Sequence, residues 1–459
     1  MNNAPTGAER KVKNAILQRW RDVLERKGDA PAVWLPDGSV ARSFSDIESE
    51  ADAIASKLRE LPPGAVVSLQ AENCPEWPAL LLGIWKTGGC AFLIDHAFGE
   101  VSRDAAERIC GARVRLGAAG VTLLDNIAAD FGDSAPDLIK LTSGTSAAPR
   151  AILFKAAQLE ADCSNICETM GIGDDDINYG VVAFSHSYGF SSLITPLLCR
   201  GVPLVTARDA LPRAILAGIA ATGATVLPAV PAIFQALSEV DGEVARLRLC
   251  ISAGAPLRTE TGSAFRARFG LKIHTFYGAS ECGGIAYDLG EDESAVEGFV
   301  GMPLRGVSID SEAGEGILVR SDAVGIGYFP GGADELGCGV FKPADLLEKS
   351  ARGWRIIGRR TDVINVGGKK TSPQEIENVL LSHPSVREAV AFGVGDGMRT
   401  EAVCACVVGE VDDAALRAWC TGKLAAWQMP RTIISLDAIP VNSRGKISRA
   451  ELAQRFGGA

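Results

Sequence analysis

Histidine is scarce in this sequence, and the cysteines are not spaced like the ligands of a structural zinc ion. The 459 residues include four histidines and twelve cysteines. No Cys-x-x-Cys pair is joined by a second pair or by histidines at zinc spacing. Most cysteines stand among apolar residues, and the alternation at 403–407 predicts a strand with two buried thiols. We therefore expect no structural metal, and reduced thiols in a cytoplasmic protein.

An excess of positive charge and a leader segment are also missing. Lysine and arginine number 46 against 56 aspartates and glutamates, which gives a net charge of −10. This balance argues against nucleic acid or an anionic membrane as a partner. The first seven residues contain no apolar core, so we expect no signal peptide.

Long apolar runs are nearly absent, because only residues 214–234 form an uncharged stretch that could cross a bilayer. This stretch contains two glycines and two prolines and is rich in alanine. We predict instead a helix, a turn at Thr222-Gly223 and a buried strand at 224–227, and hence no membrane span.

The length and the order of patterns predict two domains of the α/β class. Strand and helix patterns alternate along the first part of the chain, with one helix placed at 153–170, as in a doubly wound sheet. From about residue 297, glycines recur between short β-type runs and indicate a small β subdomain. About 100 residues of α+β pattern follow. We place an N-terminal core domain at 1–358 and a smaller, mobile C-terminal lid domain at 359–459.

Two serines carry the pattern of a helix N-cap. Ser45 is followed three residues later by Glu48, which predicts a capping box. Ser372 precedes Pro373 at the first helical position, and Glu375 completes a second predicted box.

The stretch at 141–150, Leu-Thr-Ser-Gly-Thr-Ser-Ala-Ala-Pro-Arg, follows an apolar run at 137–141 that predicts a strand. Its hydroxyls and the backbone N–H groups around Gly144 could hold one polyphosphate. It is not a Walker loop, which needs a later Gly-Lys-Ser/Thr. Taken alone, the stretch leaves open an ordinary surface turn of small polar residues.

Three further stretches follow in order: Tyr-Gly-Ala-Ser-Glu at 277–281, Gly-Arg-Arg-Thr-Asp at 358–362, and Pro-Val-Asn-Ser-Arg-Gly-Lys-Ile-Ser-Arg at 440–449. With 141–150 they resemble the adenylate-forming superfamily of acyl- and aryl-CoA synthetases, nonribosomal adenylation domains and luciferases. The pattern is most similar to that of acyl-CoA synthetases, and it covers most of the chain.

The resemblance implies an ATP-dependent acid–thiol ligase. Such an enzyme would activate an apolar carboxylic acid, fatty or aromatic, as acyl-AMP and then form a thioester with CoA. Two alternatives stay open: a stand-alone adenylating enzyme that loads the phosphopantetheine of an acyl carrier protein, and a catalytically silent nucleotide-binding protein. The implied ligands are ATP, Mg²⁺, and CoA or the carrier.

The resemblance also implies roles for individual residues around the nucleotide. The loop at 142–146 and the cation at 150 would hold the β- and γ-phosphates, although the chain has Ala147, Arg150 and Ala151 where the family usually has Gly, Lys and Gly. Glu281 and Thr145 would bind Mg²⁺, and Ser280 the α-phosphate. The implied nucleotide-binding residues are Thr142, Ser143, Gly144, Thr145, Ser146, Arg150, Gly254, Ala255, Pro256, Tyr277, Gly278, Ala279, Ser280, Asp345, Arg359, Gly367, Gly368 and Lys446.

Among these, the Tyr277 ring would lie against adenine, and residues 254–256 would border it. Asp345 and Arg359 would hold the ribose, with Pro343-Ala344 replacing the family's Thr-Gly before the aspartate. Gly367-Gly368 would let the pantetheine arm pass. Lys446 would bridge the attacking carboxylate and the α-phosphate.

Two further roles concern the acid and the lid. His186 matches the family's aromatic-or-histidine position beside the acyl tunnel. Ser185-His186 supplies no carboxylate, and a buried ammonium without a partner is costly, so we expect an acid without an α-amine. The family's hinge aligns with Thr361, and Asp362 is next, so we expect the lid to turn about one of them.

Overall fold

The computed structural model describes residues 14–117, 120–132, 135–141, 150–244, 246–292, 296–312, 316–331, 335–359, 362–367, 369–395, 401–440 and 447–456. The chain forms two compact units. The first comprises Met1–Asp310, Leu318–Lys342 and Ala351–Trp354, and the second Ser311–Ile317, Pro343–Ser350 and Arg355–Ala459. The domain boundary between 358 and 359 stays a prediction.

The helices are α1 Ala15–Lys27, α2 Phe44–Lys57, α3 Trp77–Lys86, α4 Glu100–Ile109, α5 Ala156–Met170, α6 Ser187–Gly189 with a following π-helical turn at Phe190–Ile194, α7 Thr195–Arg200, α8 Pro212–Thr222, α9 Pro231–Ser238, α10 Thr259–Phe269, α11 Pro373–Leu381, α12 Asp413–Cys420 and α13 Arg449–Phe456.

The strands are β1 Pro31–Trp34, β2 Val40–Ser43, β3 Val66–Gln70, β4 Cys90–Leu93, β5 Ala112–Gly117, β6 Gly120–Leu123, β7 Leu138–Leu141, β8 Ala151–Phe154, β9 Asn178–Gly180, β10 Leu204–Thr206, β11 Val226–Ala229, β12 Leu249–Ser252, β13 Ile273–Ala279, β14 Gly283–Tyr287, β15 Phe299–Pro303, β16 Val307–Glu312, β17 Gly316–Ser321, β18 Gly327–Phe329, β19 Leu336–Gly337, β20 Val340–Phe341, β21 Asp345–Ser350, β22 Gly353–Arg359, β23 Ile364–Val366, β24 Lys369–Thr371, β25 Val386–Gly395, β26 Glu401–Gly409 and β27 Thr432–Ser435.

Two mixed sheets organise the first unit. One runs in the order β18-β8-β7-β4-β3-β5-β6, with β7, β4, β3 and β5 parallel. The other places β1, β10, β9, β11, β12 and β13 side by side in parallel, with β2 at one side and β14 and β15 antiparallel at the other. Buried apolar runs such as the one in β11 are typical of strands covered on both faces. The predicted α/β class with a smaller C-terminal unit is confirmed.

The carboxyl ends of the two sheets are tied together by Asn73, which follows β3. Its amide Nδ2 donates to the carbonyl oxygens of Gly180 and Val182, at 3.2 and 3.0 Å, and its Oδ1 accepts from the N–H of Phe184 at 2.9 Å. Ligands of open α/β sheets bind at such carboxyl ends.

The start of α2 differs from the prediction. Ser43 is the N-cap, and it exchanges hydrogen bonds with Asp46 in a capping box, so the box predicted for Ser45 and Glu48 is wrong. The reason is that Phe44, fully buried, occupies the first helical position. Glu48 instead accepts a hydrogen bond from Trp20 Nε1 at 2.7 Å.

The helix predicted at 153–170 is wrong in its first part. Residues of β8 pair antiparallel with β7, and α5 begins only at Ala156. Every residue of β8 is buried, so its sequence carries no periodicity that would distinguish a strand from a helix.

The uncharged stretch contains the predicted helix and turn, but its strand lies two residues later than predicted, at Val226–Ala229. Helix α8 ends at Gly223, which has a left-handed conformation, and the buried strand β11 follows. Among the described residues, no helix combines the length and hydropathy that crossing a bilayer requires.

The second unit contains a sheet in the order β25-β26-β27, packed with α11, α12 and α13. The two thiols predicted to be buried in β26, Cys404 and Cys406, are 5% and 0% exposed. Ser372 caps α11 as predicted, by accepting from the N–H of Gln374 at 3.3 Å. The predicted box is wrong, because the Glu375 carboxylate accepts instead from the Thr371 hydroxyl at 3.3 Å.

Candidate active site

The predicted phosphate loop starts where β7 ends, but Thr142, Ser143, Gly144, Thr145 and Ser146 lie outside the described residues. Their roles remain predictions. The described chain resumes at Arg150, whose side chain is exposed.

The Tyr-Gly-Ala-Ser-Glu motif lies where the parallel part of the second sheet ends. Tyr277, 7% exposed, belongs to β13, and Glu281 follows in the turn to β14. A side chain at Gly278 would meet the Gly283 carbonyl oxygen at 2.7 Å, so this close approach of the two strands requires glycine.

Tyr328, on β18, contacts the Glu281 carboxylate. Its hydroxyl donates to Glu281 Oε1 at 3.0 Å, and the Gly325 N–H donates to the Glu281 carbonyl oxygen at 2.8 Å. Burial raises the pKa of Tyr328, and the negative charge of Glu281 adds to the shift, so the phenol keeps the proton that it donates.

Arg150 completes this cluster from a third segment. Its guanidinium carbon lies 4.7 Å from the centre of the Tyr328 ring, in cation–π geometry. The structure thus brings two predicted residues, Arg150 and Glu281, into contact with the same tyrosine, Tyr328, which the sequence did not indicate.

Glu281 suits a magnesium ion in its chemistry. Mg²⁺ is usually held by one or two carboxylates together with substrate phosphates rather than by an all-protein cage. The described residues contain no group of three or more histidine, cysteine, aspartate or glutamate side chains that could hold a metal.

The other predicted nucleotide-binding residues of this unit lie at the carboxyl ends of neighbouring strands in the second sheet. Gly254, Ala255 and Pro256 follow β12 and are exposed, and Gly254 has a φ of +86°. Ser280 follows β13, the next parallel strand, and is partly buried. Because both strands run parallel, their loops are neighbours, as the predicted adenine and α-phosphate contacts need.

His186 is paired with an aspartate that the sequence did not indicate. Its Nε2 lies 3.3 Å from Oδ2 of Asp95, which follows β4. The Asp95 carboxylate is fixed by the N–H of Ala97, which donates to Oδ1 at 2.8 Å. The hydrogen bond from His186 lowers the pKa of Asp95. Asp95 follows a parallel strand, and this position is the signal in the sequence that could have indicated it as a site residue.

This pair corrects one step of the sequence reasoning. Ser185-His186 itself carries no carboxylate, but Asp95 brings one to the imidazole from another strand. The lack of a carboxylate in Ser185-His186 is therefore not a valid argument against a substrate with an α-amine.

Aromatic side chains surround the segment that carries His186. The Tyr188 hydroxyl donates to the Ile251 carbonyl oxygen at 2.8 Å, and its ring lies 6.0 Å from that of Phe276. Phe184 is buried with its ring 5.8 Å from Trp77. The residues on either side of His186 in the sequence therefore pack among aromatic rings, while the His186 side chain itself is 58% exposed.

In the second unit, the two predicted ribose residues contact each other. Arg359 Nε donates to Asp345 Oδ1 at 2.8 Å, from the end of β22 to the start of β21. Gly367 is exposed, with a φ of +58°. Thr361, Gly368 and Lys446 lie outside the described residues. Asp362 accepts a hydrogen bond from Arg449 Nη1 at 2.6 Å.

Comparisons with known proteins agree with these motifs. A family model described as AMP-binding enzyme matches residues 20–329, and one described as AMP-binding enzyme C-terminal domain matches residues 375–446. A sulfoacetate–CoA ligase of Cupriavidus necator is 31% identical, over 92% of this chain and 94% of that protein. A feruloyl-CoA synthase of an Amycolatopsis species is 25% identical, over 97% and 100%. The ATP-bound crystal structure of MatB from Rhodopseudomonas palustris has the same fold, with a TM-score of 0.84, 24% identity, and coverage of 95% and 98%.

Proposed function

Because this chain belongs to the AMP-binding enzyme family and is an ATP-dependent acid–CoA ligase, we propose how its residues divide the reaction and which acids it takes. In the first half-reaction, a carboxylate oxygen attacks the α-phosphate of ATP, and pyrophosphate leaves. In the second, the thiol of CoA attacks the acyl carbonyl of the acyl-AMP, and AMP leaves.

The proposed adenylation site rests on one observation, the contacts that Tyr328 makes with Arg150 and Glu281. A cation and a carboxylate contact one tyrosine, and Ala151, next to Arg150, pairs with Leu141 at the end of β7. Glu281 holds Mg²⁺ in this proposal, and the ion neutralises charge on the phosphates. Arg150 supplies the cation that the family's lysine provides.

The other roles follow the family pattern residue by residue. Tyr277 and the loop at 254–256 bind adenine, and Ser280 contacts the α-phosphate. In the second unit, Asp345 accepts from the ribose hydroxyls, and Arg359 orients its carboxylate. Lys446 lies between the acid and the α-phosphate, where two anions would otherwise repel each other.

For the acid, we propose an apolar monocarboxylate, aromatic or fatty. The two relatives are named for acids of different kinds, a small doubly charged one and an aromatic one. Phe184 and Tyr188, the aromatic, uncharged residues that flank His186, favour an apolar chain. The negative charge of Asp95 beside His186 is unfavourable for a second anionic group on the acid.

A pyrophosphate-exchange assay tests both parts of this proposal. The panel contains benzoate- and cinnamate-type acids, fatty acids of increasing length, sulfoacetate and free amino acids. We expect exchange with the apolar monocarboxylates, then thioester formation with CoA rather than with a phosphopantetheinylated carrier protein. Exchange with sulfoacetate or an amino acid alone would contradict the proposed acid, and acceptance of the carrier alone would contradict the proposed acceptor.

Glu281→Gln tests the nucleotide site independently of the acid. Loss of one charge-stabilising group in a transition state costs about 3–4 kcal/mol, or about 10²- to 10³-fold in rate. Glu243→Gln, at an exposed position of the same unit, is the matched control. An unchanged rate and unchanged Mg²⁺ dependence in Glu281→Gln would remove Glu281 from the metal site.

A further inference from the structure

A lysine is buried one residue before the end of β7. Lys140 is 3% exposed, and its Nζ lies 5.0 Å from the centre of the Phe154 ring and 4.8 Å from that of Phe190. An ammonium in such surroundings is costly unless a negative charge compensates it. Burial accordingly lowers the pKa of Lys140 to about 8, and the charge of Asp162 acts in the opposite direction.

Asp162, on α5, is the buried counter-charge and is 4% exposed. Its Oδ2 accepts from the Ser191 hydroxyl at 2.6 Å, and its Oδ1 accepts from the backbone N–H of Gly284 at 2.9 Å. Burial raises the pKa of Asp162, while these two donors and Lys140 lower it. Both oxygens therefore have a defined donor.

The Gly284 contact places Asp162 directly beneath the turn that carries Glu281. Gly283 has a φ of +69°, and a side chain there would collide with the Asp162 carboxylate. The carboxylate thus fills the concave side of the turn at 281–284. On the other side, Tyr328 holds the Glu281 carboxylate and Gly325 holds its carbonyl oxygen.

We propose that Asp162 is a positioning residue that fixes the turn at 281–284 and so sets the place of the Glu281 carboxylate. This inference rests on the proposed function of Glu281 as the magnesium ligand. Lys140 belongs to β7, the strand that precedes the predicted phosphate loop.

The chemistry of Asp162 supports positioning rather than stability as its use. A buried charge contributes little net stability, because its desolvation offsets the attraction of nearby charges, and apolar side chains of similar size are often as stable. The hydrogen bond to Gly284 has a direction that an apolar side chain cannot supply. Groups that orient a metal ligand typically change metal affinity by about 10- to 100-fold when they are removed.

Asp162→Ala is the main test, with Asp176→Ala as its control. Asp176 is equally buried, at 4%, and accepts from Arg248 and Thr225, but no contact joins it to the turn among the described residues. Binding of ATP is measured by calorimetry with Mg²⁺ and with EDTA, beside the thermal midpoint of each variant.

We expect both variants to lower the thermal midpoint. Only Asp162→Ala should weaken the binding of ATP in the presence of Mg²⁺, by about tenfold or more. Its affinity for ATP in the presence of EDTA should change little. Asp162→Asn retains an oxygen for the Gly284 N–H and should restore most of the Mg²⁺-dependent affinity. If Asp162→Ala does not fold, Ser191→Ala, which removes the other donor to Asp162, should give a smaller loss of the same kind.

Equal Mg²⁺-dependent affinity in wild type, Asp162→Ala and Ser191→Ala would overturn the inference. Glu281→Gln separates this result from a failure of the proposed function. If Glu281→Gln removes the Mg²⁺-dependent part of ATP binding and Asp162→Ala does not alter it, only the positioning role is wrong. If Glu281→Gln leaves it intact, the proposed metal site itself is wrong.

Discussion

At the scale of single residues, the Tyr328 hydroxyl determines how the Glu281 carboxylate is oriented. The two residues are 47 positions apart in sequence and meet because β18 pairs with β8 at the edge of the first sheet. The ring also lies beneath the Arg150 guanidinium. Removing only the hydroxyl therefore separates the orientation of the carboxylate from the packing of the ring.

We expect Tyr328→Phe to raise the Mg²⁺ concentration that half-saturates pyrophosphate exchange by about tenfold, since the carboxylate loses one orienting donor. The fold should be retained, because ring packing and the β18–β8 pairing do not involve the hydroxyl. Tyr179→Phe, which removes a buried phenol hydroxyl elsewhere in the unit, should leave the Mg²⁺ dependence unchanged. The same Mg²⁺ dependence in Tyr328→Phe and wild type would contradict this role.

Lys140 should make stability depend on pH above neutrality. Its pKa of about 8 in the folded protein is below its ordinary value of 10.5, so between these limits the unfolded chain binds more protons. Stability contributed by this group therefore rises as the pH increases through that window. In urea unfolding, wild type should gain roughly 2–3 kcal/mol relative to Lys140→Met between pH 7.5 and pH 10.

The comparison with Lys140→Met isolates this lysine, because other titrating groups are common to both proteins. Lys423→Met, at an exposed lysine, should follow wild type at every pH. Parallel stability curves for wild type and Lys140→Met would mean that Lys140 does not titrate in this window.

The residues of the site show what sequence patterns can and cannot predict. Arg150 and Glu281 were predicted because each stands in a motif of neighbouring residues. Tyr328 and Asp95 were not, because their importance arises only when distant strands pair and bring them to Glu281 and His186. A sequence pattern shows which chemical groups are present, but contacts across sheets depend on the tertiary fold.

At the scale of elements, the start of α2 shows how burial chooses between two caps. Next to the start of α2, the pattern of a serine followed three residues later by an acid occurs at Ser43 with Asp46 and at Ser45 with Glu48. The helix uses the first, since this places Phe44 in the core. The hydrogen bonds from Ser43 lower the pKa of Asp46 accordingly.

We expect Ser43→Ala to reduce the free energy of unfolding by about 1 kcal/mol, because the N–H of Asp46 loses its acceptor. Ser45→Ala should change it by less than about 0.5 kcal/mol. Urea unfolding of both variants measures the difference. A larger loss in Ser45→Ala than in Ser43→Ala would contradict the observed cap.

The elements that were predicted well from the sequence have either a periodic pattern of apolar residues or a residue that ends the helix or strand. Helix α8 ends at a glycine, and β26 alternates between two packed faces, with Cys404 and Cys406 on one and Val403 and Ala405 on the other. In contrast, β8 is buried on every side and has no period, so it was merged with α5. Burial on both faces therefore removes the pattern from which a strand is normally recognised.

At the scale of the whole molecule, the chain enters the second unit more than once before it remains there from Arg355 onward. The sequence indicated a single boundary between the two units. The short segments at 311–317 and 343–350 that also belong to the second unit do not differ visibly in composition from their neighbours. The predicted lid at 359–459 lies within the last and longest segment of the second unit.

Arg449, three residues after the predicted catalytic Lys446 in the sequence, anchors the start of α13 within this unit. Arg449 donates to Glu377 at 2.8 Å and to the Ala391 carbonyl oxygen at 3.0 Å, in addition to Asp362. The N–H of Glu451 donates to the Ser448 hydroxyl at 3.3 Å. A substitution at position 446 leaves Arg449 in place, so we expect the unit to stay folded.

We expect Lys446→Ala to abolish acyl-AMP formation while supplied acyl-AMP is still converted to the thioester. Adenylation brings a carboxylate and an α-phosphate together, and both are anions, so it needs a cation between them. Thioester formation joins a thiol to an uncharged acyl carbonyl and has no such need. Lys423→Ala, at an exposed lysine of the same unit, should retain both half-reactions. Equal damage to both half-reactions in Lys446→Ala would show that the lysine serves the fold or both steps, and not adenylation alone.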